Sequence, residues 1–134
     1  MSLLVDTSVW SLALRRNSPP DIAPVAELRR AIAAGETIVV TGLILQELLQ
    51  GFSGPRAGDQ IIARFAALPL LTPQRSDHVD AAQLRNACRR GGLQIGTIDA
   101  LLAQLCIRHD LTMLSTDKDF TAIAERSPLK LWRG

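Results

Sequence analysis

The chain has no tyrosine, three phenylalanines and two tryptophans, which leaves a single-strand nucleic-acid binder working by base stacking with few platforms. Its two cysteines, Cys88 and Cys106, sit in helix-like patterns without a Cys-x-x-Cys or Cys/His spacing, which argues against both a disulfide framework and zinc. Both read as reduced packing residues, Cys106 in the core. No apolar run approaches the roughly 20 residues that cross a bilayer, and "MSLLVDTSVW" has no basic segment ahead of its apolar part. A soluble, cytoplasmic protein with no membrane partner is the expectation. Lysine is nearly missing too: Lys118 and Lys130 stand among fifteen basic residues, the rest arginine, in a chain of net charge +2. Guanidinium forks match phosphate geometry, so this composition permits a nucleic-acid partner without requiring one.

What is present is an alternation of short apolar runs and helical patterns, without repeats, low-complexity tracts or a linker. One domain spanning 1–134, long enough to bury a core without disulfides or a structural metal, is the expectation. "LLVD" (3–6) and "TIVV" (37–40) read as strands, each followed at once by a helix, "TSVWSLALRR" and "TGLILQELLQGF". "LPLLT" reads as an edge strand behind Pro69, "LTML" as a fourth strand and "LKLW" as a fifth. Helices are predicted over 22–34, from the "SGPRAGD" patch to about Leu68, over 76–90, through "TIDALLAQLCIRH", and over "DFTAIAER". In the 76–90 helix, Val79, Ala82, Leu84, Ala87 and Cys88 are the less polar positions. Strands alternating with helices imply an α/β fold, a parallel sheet of about five strands covered on both faces as a three-layer α/β/α sandwich. Such sheets carry their sites at the carboxyl ends of strands, where strand order reverses.

Four acids fall where that rule asks. Asp6 terminates the first strand and Asp117 follows the fourth. Glu47 lies three residues after Ile44 and one before Leu48, which predicts that it shares a helix face with large apolar side chains. Asp99 falls in the first turn of the most apolar helix, with Thr97 expected as N-cap and the helix dipole favouring an anion there. Singly, each acid is equally well a cap, a turn residue or a surface charge. Jointly they would repel one another without cations. A carboxylate cluster without histidine or cysteine suits Mg²⁺ or Mn²⁺ rather than zinc, and such ions serve phosphodiester cleavage by activating water and stabilising the leaving oxygen. His78 and His109 have no place in this scheme.

The segments "LLVDTSVW", "TGLILQELLQG", "GTIDALLAQLC" and "MLSTDKDF" together resemble the successive acidic motifs of PIN-domain ribonucleases, specifically the VapC-type toxins of toxin–antitoxin pairs. The resemblance covers essentially the whole chain. It implies a PIN-like sandwich with Asp6, Glu47, Asp99 and Asp117 as the catalytic acids, of which Asp6, Asp99 and Asp117 hold the metal, and Asp119 as a second acid beside the fourth. Thr7 and Thr116 match hydroxyl positions beside the acids. The implied activity is Mg²⁺-dependent endoribonuclease cleavage, with Mn²⁺ as a substitute, by water attack without a covalent intermediate. The implied partners are the RNA substrate, a cognate antitoxin and a second copy in a homodimer. Arg15, Arg16, Arg89 and Arg90 are candidates for RNA phosphates, and Trp10, Leu12 and Leu14 for either core packing or an apolar docking surface.

Two other classes compete. A metal-dependent phosphatase or a phosphoacceptor domain also places an aspartate after the first strand, but the phosphatase expects a second aspartate where Ser8 stands, and the phosphoacceptor's acidic pair and later lysine have no match. A catalytically inert PIN-like binding module would keep the fold without the chemistry, and the presence of all four acids argues against it.

Overall fold

The computed structural model describes residues 1–15 and 21–134; Arg16 therefore lies outside the described residues. Five short strands, β1 (Leu3–Val5), β2 (Ile38–Thr41), β3 (Leu70–Leu71), β4 (Thr112–Leu114) and β5 (Lys130–Leu131), form one sheet in the order β3-β2-β1-β4-β5. Every pairing is parallel, with Leu4 opposite Val39 on one side and Met113 on the other. The helices are α1 (Thr7–Ala13), α2 (Ala23–Ala33), α3 (Gly42–Gly51), α4 (Pro55–Phe65), α5 (Arg75–Arg90), α6 (Thr97–His109) and α7 (Lys118–Ala124). Leu3, Leu4 and Val5 are all fully buried although successive strand side chains point to opposite faces, so β1 is covered from both sides.

The chain builds outward from β1 through β2 to β3, then crosses back to lay β4 on the other side of β1. Right-handed crossovers place helices made on the outward leg on one face and those made on the return on the other. The packing follows this: α1 contacts α2 and α3, and α3 contacts α4, while α6 contacts α5 and α7. The switch point therefore lies between the carboxyl ends of β1 and β4.

Local chemistry explains several of the elements. Thr41 ends β2 and caps α3, its buried hydroxyl accepting from Ile44 N–H at 3.2 Å. A Thr41→Ala variant is expected to lose about 1 kcal/mol of stability in urea unfolding. Helix α5 buries Asp77, Ala81 and Cys88 in a stripe against α6, with Leu84 partly buried. Val79, Ala82 and Ala87, although among its less polar positions, are exposed, because the stripe includes an acid the hydropathy pattern does not reveal. Trp10 belongs to the core, its ring centroid 4.7 Å from that of Phe65, so the docking role open to it from sequence is closed; Leu12 and Leu14 pack partly buried against the same core. Both cysteines are free and buried. No helix among the described residues is long and apolar enough to cross a membrane.

Candidate functional site: an acidic cleft at the switch point

Asp6 leaves β1 with its N–H bonded to Leu114 O of β4, so the backbone of the switch point itself aims this carboxylate. It also serves as N-cap residue of α1, though its side chain makes no capping bond. Ser8 and Ser115 each donate to Asp6 Oδ2, at 2.8 and 2.9 Å. A hydroxyl has one proton, and with it spent on Asp6 each serine accepts a backbone N–H, Ser8 from Thr116 and Ser115 from Asp117. The pair ties the ends of β1 and β4 together and leaves Asp6 Oδ1, among the described residues, without a hydrogen-bond donor.

Asp117 caps α7, its Oδ1 accepting the N–H of Asp119 at 2.9 Å. The capping role read from sequence as the plain alternative is thus real, and it coexists with a place in the cleft. Asp99 sits in the first turn of α6, whose N-cap is Gly96 rather than Thr97: Gly96 takes the extended conformation before the helix, and its carbonyl accepts the first intrahelical bond from Ala100. Carboxylate oxygens of Asp99, Asp117 and Asp119 all lie within 4.8 Å of one another. Asp6 stands outside that triad but lines the same cleft of about 540 Å³, with Thr7, Ser8, Glu47, Thr97, Ile98 and Asp117.

Glu47 is exposed, a departure from the apolar face expected for it. The buried side of α3 is Ile44 and Leu48, and the angular step to 47 turns the carboxylate off that side into the mouth of the cleft, where Thr7 Oγ1 donates to it at 3.0 Å. Thr116 contributes its N–H, while its exposed side chain does not line the cleft. The hydroxyls that orient an acid are Ser8 and Ser115, which the sequence hid because serine after a strand is an ordinary turn residue.

Five carboxylates share this edge, and one of them reports the crowding. Asp99 is pushed up to about 6, first by burial and then by the charges of Asp117, Asp6, Asp119 and Glu47. Cys106, fully buried beneath, has its thiol pushed up by burial and by Asp6, so it is an inert packing group. An all-oxygen donor set with an uncompensated negative charge fits a hard divalent cation.

Two other buried acids were not anticipated. Asp77, with no exposed side-chain surface, receives Arg108 Nε and Nη2 at 2.5 and 2.8 Å, which holds its carboxyl below the usual range against the opposing effect of burial. Glu27 is held low by Arg30, which also reaches Glu36 at 3.1 Å. Both are structural ion pairs away from the cleft. Arg15, Arg89 and Arg90 are exposed and none lines the cleft. Arg15 instead borders a separate cavity of about 700 Å³ between α1 and α4, lined by no acid among the described residues.

A parallel sheet covered on both faces, with a cation-compatible carboxylate cleft at its switch point, defines the class: an α/β protein with an acidic site at one strand edge. The chain belongs to the PIN-domain family, whose model matches residues 3–126, and to that family's VapC-type group. It is 31% identical over 96% of both chains to ribonuclease VapC11 of Mycobacterium tuberculosis. Among solved structures, VapBC2 from Rickettsia felis bound to a promoter DNA fragment is 23% identical over 98% of each chain, with a TM-score of 0.74. VapBC-5 from Mycobacterium tuberculosis, a member of the VapBC family of toxin–antitoxin systems, is 20% identical over 99% of this chain and 98% of its own, at 0.69.

Proposed function

We propose that the chain is a Mg²⁺-dependent endoribonuclease, acting in the cytoplasm as the toxin of a toxin–antitoxin pair, with its 134 residues forming one nuclease domain. The observation that carries this reading is the meeting of Asp99, Asp117 and Asp119 within 4.8 Å at the switch point, with Asp6 and Glu47 lining the same cleft. The ribonuclease name of the 31% identical VapC11 supports RNA as substrate, and the VapBC structures support a cognate antitoxin as partner. A homodimer is part of the same reading.

Asp99, Asp117 and Asp119 would hold the cation, and Asp6 at the end of β1 lines the same cleft. When bound, Mg²⁺ or Mn²⁺ supplies positive charge to a phosphate oxygen and lowers the pKa of water. The chain does the rest. Ser8 and Ser115 fix the Asp6 carboxylate, and Thr7 fixes Glu47, which stands outside the triad and is the acid available to accept a proton from the attacking water. A Ser115→Ala variant removes one of the two donors on Asp6 and is expected to weaken Mn²⁺ binding about tenfold by calorimetry, with the fold intact by circular dichroism.

The direct test incubates the purified chain with total cellular RNA in Mg²⁺, Mn²⁺ or EDTA and sequences the new RNA ends, a readout that registers even a single cut site. Cation-dependent ends that vanish in EDTA are expected. A chain that binds Mn²⁺ yet generates no new ends would turn the reading toward an inert binding module.

A further inference from the structure

Arg85 is the one arginine among the described residues that is half-buried rather than exposed. Its Nε donates to the carbonyl of Ile95 at 2.8 Å, and Ile95 is itself buried, so the guanidinium is anchored along one edge. No carboxylate pairs with it: the described arginines in ion pairs are Arg30 and Arg108. Arg85 lines a groove of about 330 Å³ with Leu43, His78 and Ala82, and that groove adjoins the acidic cleft, with Thr97 and Ile98 lining both.

Resting on the nuclease reading, we propose that Arg85 holds a phosphate of the RNA strand next to the scissile bond, as a positioning residue in this adjoining groove. The cleft's five carboxylates repel a polyanion, so a strand entering it needs a cation beside the cleft that is not already neutralised by protein acids. A guanidinium fixed through Nε offers its terminal nitrogens in a set direction, which suits bidentate contact with phosphate and costs little side-chain ordering on binding. Arg89 and Arg90 lack these features. Both are exposed, and Arg89 is turned toward Asn86 on its own helix.

The test measures binding of a mixed-sequence fluorescent oligoribonucleotide by anisotropy over a series of salt concentrations, in an Asp99→Asn background that does not cut. Adding Arg85→Gln is expected to weaken binding roughly tenfold and to lower the slope of log affinity against log salt by about 0.7, while Arg29→Ala, on α2 and lining neither groove nor cleft, changes neither. In the Asp99-intact chain, Arg85→Gln should raise KM with kcat and Mn²⁺ affinity unchanged. Ala82→Glu covers the case in which Arg85→Gln loosens the Ile95 anchor: it keeps that bond and sets a competing carboxylate one turn away, and it should weaken RNA binding to a similar degree. Unchanged affinity and salt slope in both variants would overturn the assignment. So would variants that shift the sedimentation coefficient and leave RNA binding alone, since the groove would then be a contact between copies of the chain. If the parent chain neither binds nor cuts RNA, the failure lies with the nuclease reading, and it shows before any change at Arg85.

Discussion

Asp99→Asn is expected to eliminate cation-dependent RNA cleavage, with a loss of at least about a hundredfold, while making the cation-free protein more resistant to heat. The two effects share one cause. Asp99 has its pKa raised from 3.8 to about 6 by burial and by the other acids of the cleft, so the unfolded chain ionises this group at lower pH than the folded one does. Below about pH 4 both states are protonated and the group costs nothing. As pH rises through 4 to 6 the unfolded state is favoured, and above 6 the full penalty is present. Asparagine never ionises. In EDTA at pH 7.5 the variant should melt higher by about 3 °C, a figure kept small because the carboxyl opens onto solvent in the cleft, and the advantage should disappear below pH 4. Adding Mn²⁺ should reverse the order, because a cation bound only by the folded wild type stabilises it by mass action. A variant that is less stable than wild type in EDTA at neutral pH would show that Asp99 is a structural acid, and that its neighbours do not strain it.

Arg108→Ala is expected to produce the largest loss of stability, on the order of 10 °C in thermal midpoint, although the residue lies far along α6 from the cleft acids. Removing the guanidinium strands the wholly buried Asp77 carboxylate, which keeps only the Gln74 N–H at 2.8 Å. Asp77 has a depressed pKa in the folded state, so its contribution is present above its unfolded value and is lost as pH falls through the folded one. The cost of Arg108→Ala should therefore be greatest near neutrality and shrink in acid, where the stranded carboxyl takes up a proton. Adding Asp77→Asn to the single variant should recover part of the loss, since an amide needs no counter-charge. Equal stability of wild type and Arg108→Ala across pH would mean that water satisfies Asp77 unaided.

The sheet was legible because its strands are short β-branched or leucine-rich runs that end abruptly in Asp6, Thr41 or Ser115, and the structure differs from those runs by a residue or two at each end. The edge strand behind Pro69 was legible as well, for proline's missing N–H limits where it can pair. Asp6, Asp99 and Asp117 could be placed at one edge by topology, whereas Asp119 entered only through the family resemblance. Glu47 reached the right cleft by a wrong argument: periodicity assigned it to an apolar face, whereas a residue adjoining a buried position on a helix can equally turn to the rim. Asp77 and Glu27 escaped notice because nothing in a single sequence couples an acid to an arginine 31 positions away, or distinguishes a buried helical glutamate from a solvated one. Ser8 and Ser115 escaped for a similar reason, since their pairing runs across 107 residues of chain.

That span has a consequence for how the protein is made. The serine that grips Asp6, Ser115, comes 109 residues later in the chain, on a strand that must slide in beside β1 after β2 and β3 are already arranged on the other flank. The contact is among the most non-local the chain can form, and such contacts are formed late because the loop they close is long. Until β4 arrives, Asp99 has neither Asp117 nor Asp119 beside it. A growing chain therefore carries no assembled cleft until β4 and the start of α7 have been made.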